Sequence, residues 1–184
     1  MSSRFKVWDD QLPHFVTSTV VGWVDALSRE TYKEIVCKSL KFCIEQKGML
    51  LHAWVIMPNH IHLIFSCKQG ATVSGIMRDL KKYTSRQIVT AILENEHESR
   101  KDWMLNMFRF TAVTNGGADE FQFWQNEFHP ITLDNADKTQ TRLNYLHENP
   151  VRVGIVWNPE DYKYSSAIDY YSKHKGILPV VLLG

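Results

Sequence analysis

The stretch WVIMPNHIHLIF, residues 54–65, decides how this chain folds. Apolar residues occupy both of its ends, and the pair Pro58-Asn59 in the middle is typical of a tight turn. Two strands joined by so short a connection pair as an antiparallel hairpin. We therefore predict strands over Leu50–Met57 and His60–Ser66.

The second of these strands carries an alternating pattern. Successive side chains point to opposite faces of a strand, so His60 and His62 share one face while Ile61, Leu63 and Phe65 share the other. The apolar set indicates the core face. Two neighbouring imidazoles can bind one divalent metal ion. The H-x-H pattern is short, and a pair of half-buried surface histidines explains it equally well.

Hydrophobic periodicity predicts the other elements on both sides of the hairpin. The order β-α-β-β-α-β followed by a helix predicts an α+β fold, a ferredoxin-like sandwich with helices on one face of an antiparallel sheet. A further C-terminal helix carries a tyrosine. We expect strands over Phe15–Val24 and Phe121–Leu133, helices over Ser28–Gly48, Val73–Asn95, Lys101–Phe110 and Asp134–Glu148, and a short helix near Ser165–His174.

Two helix ends have specific signals. The first helix begins either at Ser28, as N-cap, or three residues later, where Thr31 and Glu34 have capping-box spacing. The tyrosine-bearing helix is expected to end at Asn149-Pro150, because proline disfavours helical geometry in the residue before it.

Composition indicates one domain over residues 1–184, with a polar insertion near 96–120. Its 21 Lys and Arg against 20 Asp and Glu leave a net charge of +1, so nucleic-acid binding would need a local basic patch.

Three cysteines without CxxC spacing indicate neither a disulfide framework nor a zinc knuckle. No apolar run reaches the ~20 residues of a membrane helix, and the first residues do not resemble a signal peptide, so we expect a cytoplasmic protein without membrane contact.

The helix over Asp134–Glu148 has two distinct sides. At ~100° per residue, Leu143, Leu146 and His147 cluster on the expected core face. A second, exposed stripe at i, i+4, i+7 and i+11 contains Lys138, Arg142, Tyr145 and Asn149.

The stripe combines groups suited to attack on a phosphate. A tyrosine can act as a nucleophile when its phenol is deprotonated, and neighbouring cations stabilise the phenolate and a bound phosphate. Asn149 could offer an amide oxygen to the same metal ion as the histidines. Alternatively, Tyr145 packs under a loop and Asn149 is a helix C-cap before a proline.

The helix over Val73–Asn95 carries a cationic ridge. Arg78, Lys82 and Arg86 repeat at i, i+4 and i+8, with Lys81 beside them and one acid, Asp79, among them. Such a ridge suits a phosphate backbone. A solvated helix face is the alternative explanation.

Two motifs together resemble a known family. Residues 54–65 resemble the H-hydrophobic-H motif of the HUH single-tyrosine transposases of the insertion-sequence type. The stretch NYLHENPVRVG, residues 144–154, resembles the tyrosine helix of their REP-associated tyrosine transposase branch. The likeness spans most of residues 50–170 and includes Trp124-Gln125, Pro159, Asp161-Tyr162 and Ser165-Ser166.

The resemblance implies a function and a site. It implies that His60, His62 and Asn149 bind a catalytic Mg²⁺ or Mn²⁺ and that Tyr145 is the nucleophile. The family cleaves single-stranded DNA beside short hairpins, forming a 5′-phosphotyrosine and a free 3′-OH that can attack another junction. The expected partner is hairpin-bearing single-stranded DNA, bound by Arg78, Lys81, Lys82, Arg86, Lys138, Arg142 and Arg152.

Other functions stay open at this point. A domesticated DNA-binding regulator would keep the fold and have lost catalysis. A two-histidine phosphoesterase needs two H-x-T/S motifs, and His129-Pro-Ile-Thr132 places its threonine one position too far. A zinc hydrolase would need a further ligand cluster, which the sequence does not offer. The sequence is compatible with a homodimer, in which the tyrosine helix acts in trans, and with a monomer, in which it acts in cis. The apolar segment Ile177–Leu183 could pack internally or form an interface.

Overall fold

Four antiparallel strands form one sheet in the order β2-β3-β1-β4. The structure is a computed structural model and describes residues 9–183. The strands are β1 (His14–Thr19), β2 (Met49–Ile56), β3 (His60–Cys67) and β4 (Ile131–Thr132). The helices are α1 (Glu30–Gln46), α2 (Val73–Glu94), α3 (Lys101–Thr114), α4 (Ala136–Arg152) and α5 (Ala167–Tyr171).

The predicted hairpin is present, with both strands within one residue of their expected bounds. The amide of Met57 donates to the carbonyl of His60 at 2.8 Å and closes the turn. In register, Ile56 lies opposite Ile61 and Trp54 opposite Leu63, and all four side chains are buried. Burial of the apolar side chains on this face therefore places His60 and His62 on the opposite face of β3.

Helices cover both faces of the sheet. α1 and α2 pack against each other and against β2 and β3. α4 crosses the histidine face, where the ring of Tyr145 contacts those of Phe15 and His62. The α+β, ferredoxin-like sandwich expected from the sequence is confirmed, with α1 and α2 as its helical layer and the tyrosine-bearing helix on the opposite face.

The first and fourth strands are shorter than predicted. β1 stops at Thr19 because the chain turns at Gly22 and Trp23, both with positive φ. The expected strand over Phe121–Leu133 is wrong except at its end. In the segment before β4, the amide of Gln122 donates to Phe108 in α3. That segment meets the end of β1 only at an isolated bridge between Trp124 and Val20, where the Gln125 amide donates to Thr19.

Helix ends also differ from expectation. α4 runs through Pro150 instead of stopping before it. Pro150 is buried and lies in the last turn, where Val153 and Ile155 donate to the carbonyls of Asn149 and Pro150 and close the helix. α1 starts after Arg29 without a side-chain cap, so neither Ser28 nor Thr31 caps it. The helix in the polar insertion extends to Thr114 and buries Met104, Leu105 and Phe108.

The outer edge of β2 is covered by the C-terminal part of the chain. Ile56 donates to Tyr164, Ser166 to Trp54 and Val181 to Leu51, each at 2.8–2.9 Å. Covering an edge strand in this way blocks pairing with another chain. The segment Ile177–Leu183 thus packs partly internally, with Leu178 buried and Val181 about half exposed. Among the described residues, no helix has the length and apolarity needed to cross a membrane.

A buried carboxylate ties α1 to the segment that leads into α3. Glu98 is buried and is paired with Arg29 and Arg100, while the hydroxyl of Tyr32 donates to it at 3.4 Å. Burial alone would raise the pKa of the Glu98 carboxyl, but its hydrogen bonds and the two guanidinium charges outweigh burial and hold that pKa below its usual 4.5. The pairing therefore stabilises the folded state while Glu98 is ionised.

We expect Glu98→Gln to lower the free energy of unfolding at pH 7 by about 1–3 kcal/mol, since a charged buried acceptor is lost. Because the folded-state pKa is depressed, the wild-type contribution is present above about pH 4.5 and is lost as pH falls through the folded value. Urea unfolding between pH 3 and 7 measures both effects. The exposed pair Arg109–Glu120 offers the control Glu120→Gln, and an equal loss in that control would contradict the assignment.

Candidate active site

The two histidines of β3 lie side by side on the face opposite the core. Their ring centroids are 4.7 Å apart. Each ring is held through Nδ1, which contacts Asn59 Oδ1 at 2.6 Å in His60 and Thr17 Oγ1 at 2.8 Å in His62. In His62 this leaves the Nε2 atom for a further partner.

The Nε2 atom of His62 is buried and has no hydrogen-bond partner among the described residues. Burial, with smaller effects of the neighbouring His60 and Arg142, lowers the pKa of His62 to about 3. Burial also lowers the pKa of His60. Both rings are therefore neutral near pH 7, and a neutral imidazole has the lone pair that a metal ligand needs.

Tyr145 of α4 contacts this pair directly. Its ring centroid lies 5.4 Å from that of His62 and 6.0 Å from that of Phe15, which in turn stacks on His62 at 5.1 Å. The side chain is half-buried. Packing against the sheet thus brings the tyrosine to the histidines.

Asn149 lies one helical turn beyond Tyr145 and is buried. Its Nδ2 donates to the Tyr145 carbonyl at 2.7 Å, and its side chain also hydrogen-bonds to His60. The expectation that this side of α4 is exposed is wrong for Asn149, because the sheet covers it. Asn149 is not the C-cap either, since α4 continues to Arg152.

Two arginines complete this cluster. The guanidinium carbon of Arg152 lies 5.1 Å from the centroid of the Tyr145 ring, and that of Arg142 lies 5.2 Å from the Phe15 ring. Cations at these positions can pair with a bound phosphate. The structure therefore brings together His60, His62, Arg142, Tyr145, Asn149 and Arg152.

The other predicted cations lie elsewhere. Lys138, at the exposed start of α4, pairs with Asp134 at 2.9 Å. The ridge of Arg78, Lys81, Lys82 and Arg86 is on α2, in the helical layer across the sheet. Within the ridge, Arg78 pairs with Asp79 at 3.0 Å and Arg86 with Asp119 at 3.9 Å. Lys81 donates to the Gln125 carbonyl, and its pKa is lowered by burial.

Two residues of the site had no signal in the sequence. Thr17 orients His62, and Phe15 packs between His62 and Tyr145. Both belong to β1, and their register opposite His62 and Ile64 puts them on the histidine face. The β1–β3 register would have placed Thr17 and Phe15 on the histidine face, but that register depends on tertiary structure and cannot be deduced from the sequence.

The donor set for a metal ion is restricted. Among residues 9–183 there is no group of three His, Cys, Asp or Glu side chains that could hold one. The available donors are two imidazoles and the amide oxygen of Asn149. The buried, unpartnered Nε2 of His62 fits such an ion, because a buried polar atom otherwise loses its hydrogen bond to water without compensation.

Comparison with known proteins places the chain in a family. A model of the family described as "Transposase IS200 like" matches residues 14–122, more than half of the sequence. The chain belongs to this family of transposases. The matched stretch contains both site histidines of this IS200-like transposase, His60 and His62, and ends before Tyr145. The expected membership among insertion-sequence-type transposases is confirmed. No curated protein matches the chain.

Two solved structures are similar to this transposase, and the first of them shares its fold. One, a REP-associated tyrosine transposase bound to a REP hairpin, is 18% identical with a TM-score of 0.66, and the match covers 100% of this chain and 92% of that chain. At this identity the likeness shows the fold alone. A second, a candidate transposase from Deinococcus radiodurans, is 16% identical with a TM-score of 0.44 and covers 77% of this chain and 92% of that one.

We expect the His62 ring to remain neutral where an ordinary histidine is charged. Its pKa of about 3 lies well below the usual 6.5, so lowering the pH from 8 to 5 should leave its ring resonances unshifted in NMR spectra of the metal-free protein. The resonances are assigned by their loss in His62→Gln. Titration of the ring near pH 6.5 would show that the site is open to water.

Proposed function

We propose that this transposase is a metal-dependent endonuclease and strand transferase for single-stranded DNA that acts through a 5′-phosphotyrosine at hairpin-flanked sites. Such activity would serve DNA transposition or the processing of REP elements. The observation that carries the proposal is Tyr145, whose ring lies 5.4 Å from that of His62, beside the buried free Nε2 of the same histidine.

The proposed metal ligands are His60, His62 and Asn149. A bound Mg²⁺ or Mn²⁺ would supply Lewis-acid polarisation of the scissile phosphate. Thr17 and Asn59 orient the two imidazoles through Nδ1, and the Nε2 of His62 has no partner in the described part of the chain. Asn149 is held by its bond to the Tyr145 carbonyl, so the same helical turn fixes the amide and the nucleophile.

In the proposed reaction, the Tyr145 oxygen forms a bond to phosphorus and the bond from phosphorus to the 3′-oxygen breaks. The phenol loses one proton and the departing 3′-oxygen gains one, so the step is balanced and needs no cofactor that is consumed. Arg152 above the Tyr145 ring stabilises the phenolate. Attack by a 3′-OH on the phosphotyrosine reverses the step and rejoins DNA, because the ester has kept the bond energy.

DNA contacts are proposed at two places. Arg152 lies over the Tyr145 ring and Arg142 over the neighbouring Phe15 ring, where both can bind the phosphates next to the cleaved bond. The ridge Arg78–Arg86 on α2 and Lys138 would bind the hairpin away from the site. Lys81 should contribute least, because its ammonium already donates to Gln125. The hairpin in the related structure supports a hairpin partner.

We further propose that residues 1–184 act as one transposase domain. The segment 96–120 belongs to it, since α3 buries its apolar face against the rest of the protein. A cytoplasmic location and a homodimer stay predictions. The second candidate function is a DNA-binding regulator without catalysis, and the presence of Tyr145 and its three proposed metal ligands in one cluster favours the enzyme.

The decisive experiment is cleavage of a library of hairpin-bearing single-stranded oligonucleotides with Mn²⁺ or Mg²⁺, and with EDTA. We expect a metal-dependent covalent protein–DNA adduct on a denaturing gel that Tyr145→Phe abolishes, because the phenylalanine lacks the attacking oxygen. Tyr83→Phe, on the exposed face of α2, is the matched control. DNA binding without an adduct under either metal would support the regulator and overturn the enzyme.

We also expect Thr17→Val to weaken Mn²⁺ binding about 10- to 100-fold, because it removes the group that orients His62. Isothermal titration calorimetry measures the affinity directly, without DNA. Thr114→Val, whose hydroxyl bonds only within α3, is the control and should change nothing. If Thr17→Val binds Mn²⁺ as tightly as wild type does, then Thr17 does not position His62 as a ligand of the metal ion.

A further inference from the structure

Trp23 has a backbone conformation that bulky residues rarely adopt. Its φ is +56°, and it is the one non-glycine residue with positive φ in the part of the chain that the structure describes. For a side chain of this size the left-handed region is sterically unfavourable. Local strain of this kind persists only where the surrounding structure enforces it, and it is concentrated at functional sites.

The surrounding structure does enforce this turn. The amide of Val21 donates to Phe123 at 2.9 Å, and that of Val20 donates at 2.9 Å to the carbonyl of Asn59, the residue before His60. Gly22 has a φ of +61°, and a Cβ there would meet Met107 Sδ at 3.2 Å. The loop is thus hydrogen-bonded to the β2–β3 turn and to the segment before β4, and Gly22 lies close against Met107 of α3.

The turn displays the indole instead of burying it. The Trp23 side chain is 63% exposed, although tryptophan is among the residues that gain most from burial. Its ring centroid lies 6.3 Å from that of His60 at an interplanar angle of 69°. Core packing therefore does not explain why a tryptophan occupies this position, whereas contact of its indole with a binding partner would.

Trp23 also extends a row of rings that leads to the nucleophile. Successive centroid distances are 6.3 Å from Trp23 to His60, 4.7 Å from His60 to His62 and 5.4 Å from His62 to Tyr145. A phosphate between the histidines and Tyr145 would therefore lie close to an exposed indole. Each phosphate in single-stranded DNA is flanked by deoxyriboses that carry nucleobases, and nucleobases stack on tryptophan.

We propose that Trp23 is a stacking platform for a nucleobase of single-stranded DNA beside the phosphate that Tyr145 attacks. The inference rests on the proposed function and adds a specific contact to it. Stacking accepts any base, so Trp23 would hold the strand in place without reading its sequence. The expected contribution is about a 5- to 100-fold gain in affinity, the range that stacking on one aromatic side chain supplies.

The test removes the ring without disturbing the turn. Trp23→Gly is suited to it, because glycine adopts positive φ without strain and the variant should remain folded. Trp23→Phe keeps an aromatic face and should retain most of the affinity. Trp157→Ala is the matched control, since Trp157 is 93% exposed in the loop after α4.

Two probes separate stacking from charge. One is a 12-nucleotide oligothymidylate, and the other is an abasic oligonucleotide of the same length with the same phosphates. At one fixed salt concentration with Mn²⁺, we expect Trp23→Gly to bind oligothymidylate about 5- to 100-fold more weakly than wild type and to bind the abasic strand equally well. Trp157→Ala should match wild type with both probes, and thermal unfolding should show both variants folded.

Equal affinity of wild type and Trp23→Gly for oligothymidylate would overturn the inference. An equal loss with both probes would overturn it too, because the ring would then act through structure and not through stacking. The adduct assay on Tyr145 separates this inference from the proposed function. If wild type forms the adduct and Trp23→Gly binds DNA as well as wild type does, the stacking inference is wrong and the proposed function stands. If no adduct forms but Trp23→Gly shows the expected loss of binding, Trp23 stacks on single-stranded DNA in a protein without catalysis.

Discussion

The alternation of side chains along β3 is the constraint on which the rest of the structure depends. Ile61 and Leu63 are buried in the core, and the same pleat forces His60 and His62 to the other face. A shift of register by one residue would exchange the two sets and bury both imidazoles among apolar side chains. The core and the candidate active site are therefore specified by the same hairpin.

The helix that covers the histidine face must both pack against the protein with apolar side chains and bring site residues to the histidines. α4 buries Leu143, Leu146 and His147 on one side, and presents Tyr145 and Asn149 to the histidines on the adjacent side. His147 is a structural residue, since its Nε2 contacts Ser166 Oγ at 2.8 Å and burial lowers its pKa to about 4. Because the amide of Trp54 in turn donates to Ser166 Oγ, the position of α4 is tied to β2 and hence to the hairpin.

The sequence predicted the elements with strong local signals and failed where tertiary contacts compete with them. The β2–β3 hairpin and α2 were predicted almost to the residue, because apolar periodicity and a turn pair define them. The fourth strand was not, because the amide of Gln122 bonds to Phe108 in α3, and only the Gln125 amide reaches β1, at its last residue Thr19. Pro150 did not end α4, because it is buried in the last turn and the amides of Val153 and Ile155 still close the helix on the carbonyls of Asn149 and Pro150.

The sequence by itself determined the hairpin, the side of the sheet that carries the histidines, and the residues that resemble a tyrosine transposase. These follow from patterns of period 2 and 3.6 that extend over a few residues. Only the tertiary structure decided that Tyr145 meets His62, that Asn149 is buried, that the α2 ridge lies across the sheet from them, and that Trp23 is exposed beside His60. Those are relations between residues distant along the chain, and they depend on strand register and helix packing, which no local pattern encodes.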